Sequence, residues 1–191
     1  MCTDKPQPRP PKSGGLIYDP SQFPSLMKIS NIRSALHLSP TAMELMTHRG
    51  QVPPPTHYAE ITGGTRWLFW SEVDPTFADW FAEARRMAAA GVYRSRMPAN
   101  AAWADAAADP QAWVAGAAKL ISITNLAKAA KLGTGRHFYD MVRSGKIPRP
   151  DFYTGSGWYY VATPALQEWA SATAATAGQY RRKHQLKARD E

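Results

Sequence analysis

The sequence predicts a mainly α-helical fold with small β-hairpins, arranged as two similar units in tandem. Short stretches with apolar residues at helical spacing dominate the chain after its first 25 residues. The stretch "NIRSALHLSPTAMELMTHRGQVPPP", from Asn31 to Pro55, is followed later by "NLAKAAKLGTGRHFYDMVRSGKIPRP", from Asn125 to Pro150. Both stretches run through two short helical segments, a glycine and a proline break, and each precedes two strand-like segments and a further helix. This ordered succession indicates an internal duplication.

The first unit, residues 26–91, opens with a pair of short helices. Ile29, Ile32 and Leu36 form one apolar stripe in "LMKISNIRSALHL". Ser39 and Pro40 then suit the N-cap and the first position of a second helix. Gly50 is a natural end for this helix, and the prolines of "VPPP" exclude its continuation.

A hairpin and a third helix complete the first unit. The segments "THYAEI" and "RWLFW" have strand composition, and the residues 62–65 between them suit a turn. Asp74 and Pro75 open the amphipathic helix "TFADWFAEARRMAAA", which Gly91 ends. Two short helices with a tight turn, followed by a hairpin, constitute a winged helix-turn-helix.

The rest of the chain is divided in the same way. Residues 1–25 predict a flexible Pro-rich tail, and the Ala-rich residues 92–118 predict a helical connector. Residues 119–180 repeat the order of the first unit as a second winged helix-turn-helix, and residues 181–191 form a basic C-terminal tail. The predicted fold class is therefore mainly α with small hairpin wings, in two tandem winged helix-turn-helix modules joined by the connector.

Composition favours a nucleic-acid partner inside the cell. The 191 residues carry a formal charge of +8, which favours association with polyanions. The single cysteine, Cys2, excludes an intramolecular disulfide and suits a reducing compartment. Neither a secretory signal nor an apolar run of the ~18–20 residues that span a membrane is visible. We expect a cytoplasmic protein without a membrane partner.

No pattern of catalytic residues stands out, so we expect no enzyme activity, no cofactor and no metal site. The five histidines are not placed at metal-ligand spacing from one another. The "GTG" at residues 133–135 lacks the Lys-Ser/Thr that completes a phosphate-binding loop.

The second unit resembles the MerR-superfamily winged helices of the excisionase and AlpA-like type. The residues that carry this resemblance are "ISITNLAKAAKLGTGRHFYDMVRSGKIPRP", the aromatic "WYY" and the helix "ALQEW". Residues 120–170 match most of the family pattern and residues 26–81 match it more loosely. The departures are an additional residue in "GTG" and, in the first unit, the polarity of the second helix. The resemblance implies sequence-specific binding of duplex DNA, with the second helix in the major groove and the wing on the backbone or minor groove.

The DNA contacts are expected mainly from the second unit, whose residues 120–161 include six basic and two acidic residues, a net charge of +4. Phe138, Met141 and Val142 lie at i, i+3 and i+4 and should face the core. The remaining positions of this helix and its surroundings should contact base edges or phosphates. The predicted contact residues are Arg136, His137, Tyr139, Asp140, Arg143 and Lys146 on and after the helix, Lys128, Lys131 and Arg149 beside it, and Ser156 in the wing turn.

The first unit is a weaker candidate, because its residues 26–80 carry four basic and five acidic residues, a net charge of −1. Its core stripe is ambiguous: Met43, Met46 and Thr47 match the second unit, but Ala42, Leu45 and Met46 have equally helical spacing. The unit either binds DNA weakly beside the second one or serves as a packing or protein-contact module. Its candidate contact residues are Thr41, Glu44, His48, Arg49 and Arg66.

Three functions remain open at this point. The first is a transcriptional regulator or an excisionase-like recombination accessory factor, for which a tandem pair of units predicts direct repeats about 10 bp apart. The second is a phage or plasmid DNA-packaging or partition component, similar to a terminase small subunit. The third is a protein-interaction scaffold built on winged helices. Homo-oligomers and a recombinase or packaging protein are the expected protein partners.

Overall fold

The computed structural model describes residues 18–61, 64–92, 97–133, 141–155 and 157–187. Within these residues the chain has helices and strands in the same order in both halves, with one further helix between them. The elements are β1 Leu26–Lys28, α1 Ile29–Ala35, α2 Pro40–His48, β2 His57–Glu60, β3 Arg66–Ser71, α3 Pro75–Ala89, α4 Ala101–Ala108, β4 Ala118–Ser122, α5 Ile123–Ala129, β5 Phe152–Tyr153, β6 Trp158–Val161 and α6 Pro164–Lys187. Short 3-10 turns occupy Pro20–Gln22 and Ala112–Val114.

Side-chain caps set the beginning of several helices. The Ser39 hydroxyl accepts a hydrogen bond from the Ala42 amide at 3.2 Å, and the Asp74 carboxylate accepts one from the Phe77 amide at 2.9 Å. Both caps were predicted from the sequence and are confirmed. Ser122 caps α5 in the same way, through the Asn125 amide at 3.2 Å. Each cap satisfies a backbone N–H that has no partner inside its helix.

All six strands belong to one mixed sheet, in the order β1-β3-β2-β4-β6-β5. Within each unit the neighbouring strands are antiparallel, whereas β2 of the first unit pairs with β4 of the second in parallel. A further parallel bridge joins Ser25, just before β1, to Tyr153 in β5. The sheet therefore curls into a nearly closed barrel in which each unit supplies three strands.

The predicted fold class, mainly α with small hairpin wings, is wrong, because the chain has a mixed α/β fold around this sheet. The prediction missed β1 and β4. Both strands directly precede a short helix, and the sequence pattern included their residues in the helical segments "LMKISNIRSALHL" and "ISITNLAKAAKL". Backbone groups of β1 and β4 pair with the hairpin strands, and this pairing joins the two predicted wings into one sheet.

Three apolar clusters fill the molecule. One lies between the first-unit helices, α4 and the sheet, and includes Ile32, Met43 and Phe77. A second lies between the second-unit helices and the sheet, and includes Leu126 and Val142. The third consists of residues that point into the barrel: Leu26, Ala59, Phe69, Leu120, Phe152 and Tyr159. Each half of the sheet is thus covered on its outer face by the helices of its own unit.

The barrel interior brings His57 and Phe152 together at a ring-centroid distance of 4.7 Å. These two residues begin β2 and β5, and they hold the same position in the two units. Burial lowers the pKa of His57, and the negative charges of Asp74 and Asp151 oppose this shift. The Nδ1 atom of His57 lies 2.8 Å from the Thr56 hydroxyl.

Candidate nucleic-acid interface

The turn that follows the first short helix begins with the same conformation in both units. His37 and Lys131 adopt φ values of 52° and 54°, which few residues other than glycine adopt. After each of them, the amide of Leu38 or Leu132 donates a 2.9 Å hydrogen bond to a carbonyl five residues earlier. The end of the first helix and the beginning of the turn, through Leu38 or Leu132, therefore have one geometry in the two units, and the side chains of His37 and Lys131 are exposed there.

In the second unit, four of the predicted contact residues are exposed cations on one stretch of chain. Lys128 lies in the last turn of α5, and Lys131 follows in the turn. Arg143 and Lys146 flank Gly145, where the next helix ends. None of the four residues is buried, and their contact with phosphates stays a prediction.

Two of the three residues predicted to face the core lie in the described end of the second helix, residues 141–143, and both predictions are confirmed. Val142 is buried, and Met141 packs against the same cluster. Phe138, the third predicted inward residue, lies outside the described residues. The predicted contact residues Arg136, His137, Tyr139, Asp140 and Ser156 also lie outside them.

Arg149 has partners that the sequence did not suggest. Its guanidinium lies over the Phe23 ring, 4.5 Å from the centroid, and donates a 3.1 Å hydrogen bond to the Gln22 side chain. Tyr18 is near the same guanidinium at 5.9 Å. Arg149 therefore joins the second unit to residues 18–23, a segment assigned to the flexible tail from its proline content. The aromatic residues in that segment are the signal that could have revealed this contact.

In the first unit, α2 has the register that matches the second unit. Met43 and Met46 are buried and Thr47 is partly buried, whereas Leu45 is 49% exposed. This settles which of the two possible stripes faces the core. Its outward residues, by the same register, are the candidate contacts Thr41, Glu44, His48 and Arg49, all exposed.

Some of these residues line a surface groove between α2 and the outer face of β3. Glu44 and His48 lie on its α2 side, and Arg66 and Trp67 lie on its β3 side. Lys28 completes the groove and places its ammonium 4.6 Å from the centre of the Trp67 ring. Trp67 is 44% exposed, which is unusual for a tryptophan and was not predicted. Strand alternation puts Trp67 on the same face of β3 as the buried Phe69, so Trp67 lies on the barrel side, near the beginning of the strand.

Arg66 is held in place by the connector. Both terminal nitrogens of its guanidinium donate to the Gln111 side-chain oxygen at 3.2 Å, and the guanidinium lies 5.4 Å from the centre of the Tyr58 ring. Nearby, Lys119 and Glu60 form an ion pair at 2.6 Å, and this bond lowers the pKa of the Glu60 carboxyl. One predicted contact residue of the first wing thus has partners within the chain.

The connector also covers the C-terminal end of α2. The amide of Asn100 donates a 2.9 Å hydrogen bond to the Gly50 carbonyl, and the Gln51 side chain donates to the Met97 carbonyl at 2.7 Å. Gly50 is buried against the backbone of α4, whereas the matching Gly145 has open space around it. The two helix ends therefore differ in surroundings although their backbone geometry is the same.

Comparison of the chain with protein-family models, with curated proteins and with solved structures finds no match. Among the residues that the structure describes, no helix has the length and apolar character needed to cross a membrane. In the same residues, no three His, Cys, Asp or Glu side chains are grouped as metal ligands would be. The expectations of no cofactor and no enzyme activity stay predictions.

Proposed function

We propose that this protein binds double-stranded DNA in a sequence-specific manner through its second unit, as a transcriptional regulator or an excisionase-like recombination accessory factor. The observation that carries this proposal is the order of β4, α5, a left-handed turn at Lys131, a helix end at residues 141–143 and a hairpin, with Lys128, Lys131, Arg143 and Lys146 all exposed. Within the unit, β4 pairs with β6, and β6 pairs with β5, so that the hairpin strands belong to the barrel.

The charge on the second unit supports a duplex as the ligand. Its residues 120–161 carry a net charge of +4, whereas residues 26–80 of the first unit carry −1. Lysine and arginine side chains that neutralise phosphates release condensed counterions, which supplies a sequence-independent part of the affinity. Arginines that reach guanine in the major groove would then add sequence preference.

In this proposal the first unit has a subordinate part in DNA binding. In the aligned sequences, Glu44 corresponds to Tyr139 of the second unit, and His48 corresponds to Arg143. The connector covers the end of α2 and engages Arg66. A module with these features contributes little affinity of its own, but its fixed attachment raises the local concentration of its half-site. A cytoplasmic location remains part of the proposal.

The test is selection of bound sites from random duplexes by the full chain, repeated with Arg136→Ala and with Arg143→Ala. If one of these arginines contacts a base, its replacement should relax the preference at one position and cost about 1–3 kcal/mol there. Arg86→Ala, which removes a charge from the exposed face of α3, is the matched control and should leave the selected sequences unchanged. Recovery of no preferred sequence by the unaltered chain would refute sequence-specific binding.

The stoichiometry of the complex separates this function from DNA packaging. A regulator or accessory factor should bind its site as one chain or a small assembly, whereas a packaging component should form a ring or a larger oligomer of defined size. Light scattering of the protein with and without the selected duplex makes this distinction. Association with protein partners but not with duplex would instead favour the scaffold.

A further inference from the structure

We infer that the two half-sites contacted by one chain are in inverted orientation, so that the chain alone reads an imperfect palindrome. This inference rests on the proposed function, and it replaces the direct repeats that tandem units suggest from the sequence. The argument depends on how the two units are related in space, which the strand pairing of the barrel determines.

The two seams between the units are equivalent. At one seam Tyr58 pairs in parallel with Lys119. At the other, Tyr153 pairs in parallel with Ser25. Tyr58 and Tyr153 are matching residues of the two units. Ser25 and Lys119 also match, because each lies six residues before the equivalent positions 31 and 125 of the first helices. Each unit therefore presents its second strand to the first strand of the other, in the same register.

The interior of each unit repeats the same contacts. Leu26 pairs with Ser71 as Leu120 pairs with Val161. The indole of Trp70 donates a 2.9 Å hydrogen bond to the Pro53 carbonyl, and the Tyr160 hydroxyl donates one of 2.9 Å to the Pro148 carbonyl. Position 70 matches 160 by strand register, and 53 matches 148 by sequence. The equivalence thus extends from the strands to the proline break after the second helix.

These pairings define the operation that relates the units. The sheet order is β1-β3-β2-β4-β6-β5, and a shift of three strands around the barrel replaces every strand by its counterpart running in the same direction. In a six-stranded barrel, a shift of three strands is a half-turn about the barrel axis. The units are consequently related by a pseudo-two-fold rotation, as in a symmetric dimer, and not by a translation along the chain.

The same pairings place the turns of both hairpins at one end of the barrel. Strands β1, β2, β4 and β5 all run in one direction, and β3 and β6 run in the other. The connections from β2 to β3 and from β5 to β6 therefore lie at the same end. The N-termini of α1 and α5 lie there too, because these helices directly follow β1 and β4.

A duplex laid across this end meets the two units on either side of the barrel axis. Protein two-fold symmetry is mirrored by inverted half-sites in the DNA. The match is imperfect, because in the aligned sequences Glu44 and His48 of the first unit correspond to Tyr139 and Arg143 of the second. We therefore expect one strong half-site and one weaker, different half-site in inverted orientation.

The experiment uses the full chain and synthetic duplexes that carry the selected strong half-site. The selected partner half-site is added in inverted or in direct orientation at a series of spacings, and affinities are measured by anisotropy at constant salt. We expect the best inverted duplex to bind about tenfold more tightly than the strong half-site alone, with no such gain for any direct duplex. A gain only in direct orientation, or no gain in either, would overturn the inference while leaving the proposed DNA binding intact.

Matched variants identify which unit uses which half-site. His48→Ala should abolish the gain from the inverted half-site without affecting binding to the strong half-site alone. Arg143→Ala, at the matching position, should weaken both duplexes by the same factor. Failure to bind any duplex would instead refute the proposed function itself, so the two failures are distinguishable. Equal effects of both variants on both duplexes would also overturn the inference.

Discussion

Gly50→Ala should destabilise the protein much more than Gly145→Ala, although the two glycines end matching helices. Both residues have left-handed backbone conformations, with φ of 67° and 71°. Both are followed by an amide, of Gln51 or Lys146, that donates a 2.9 Å hydrogen bond to a methionine carbonyl. A Cβ in this conformation costs about 1 kcal/mol relative to glycine, and this cost applies equally to the two substitutions.

The difference arises from the connector. A Cβ on Gly50 would overlap the carbonyl oxygen of Asn100 and lie 2.8 Å from the amide nitrogen of Ala104, whereas a Cβ on Gly145 would meet nothing within 4 Å. Displacing this backbone adds roughly 1–3 kcal/mol of overpacking and about 1 kcal/mol for the weakened hydrogen bond from Asn100 to Gly50. We expect a total loss of about 3–5 kcal/mol for Gly50→Ala and about 1 kcal/mol for Gly145→Ala.

The assay is urea unfolding of the full chain and of each variant, followed by tryptophan fluorescence. Shifts of the midpoint at unchanged slope give the difference in unfolding free energy. Equal losses for the two variants, or a greater loss for Gly145→Ala, would refute the packing of α4 on the end of α2. A matched pair of this kind controls for the backbone strain, because both substitutions carry it.

Three further predictions concern single side chains. Tyr160→Phe should lower the free energy of unfolding by about 1–2 kcal/mol, because the Pro148 carbonyl loses its donor, whereas Tyr153→Phe removes only an exposed bond to Gly155 and should have little effect in the same urea assay. Because burial lowers the pKa of His57, the unfolded chain binds a proton at this histidine before the folded chain does as the pH falls. The contribution of His57 to the free energy of unfolding should therefore be unchanged above about pH 6.5, and this free energy should fall below that pH. His57→Phe places at position 57 the same side chain that the matching position 152 carries, and it should weaken this pH dependence. If the unfolding midpoints of the variant changed between about pH 7.5 and 5.5 as steeply as those of the unaltered chain, this role of His57 would be refuted. Arg149→Ala should release residues 18–23, which would be measured as faster amide hydrogen exchange in that segment. Arg149→Lys should not restore the protection, because an ammonium lacks the planar face that stacks on Phe23. Unchanged exchange in Arg149→Ala would argue against this anchoring role.

The sequence predicted the local elements of each unit well because their signals are local. Capping residues, the glycines after the second helices and the proline breaks act within a few residues of themselves. The same is true of the helical stripe, which is why Met43 and Met46 are buried as one of the two predicted stripes required. The duplication was likewise visible, because it depends on the order of such signals.

The sheet could not be predicted in the same way, because its pairing joins residues far apart in the chain. Nothing near Tyr58 indicates a parallel partner at Lys119, and three-residue β1 is too short to show the alternation of a strand. Sequence identity aligns Trp158 with Trp67, but Trp158 pairs with Tyr153 as Leu68 pairs with Tyr58, so Trp158 matches Leu68 in the structure. The strand register determines which residues match, and it differs from the match that sequence identity suggests.

The candidate site was predicted in part for a similar reason. Exposed cations at Lys128, Lys131 and Lys146 follow from helix periodicity and turn position. The partners of Arg66 and Arg149 do not, since Gln111 and Phe23 are brought to them by the connector and by the segment before β1. A basic residue beside a helix-turn-helix is therefore not by itself a phosphate contact.

The central claim is that the cations of the second unit bind duplex DNA, and the salt dependence of binding tests it most directly. Lys128, Lys131, Arg143 and Lys146 contacting four phosphates would give a slope of log affinity against log salt of about −3.6, at roughly 0.9 per contact. The variant carrying Lys128→Ala and Lys131→Ala should reduce that slope by about 1.8, and Arg86→Ala should leave it unchanged. Absence of any association with duplex at low salt, or an identical slope in the double variant, would contradict the claim.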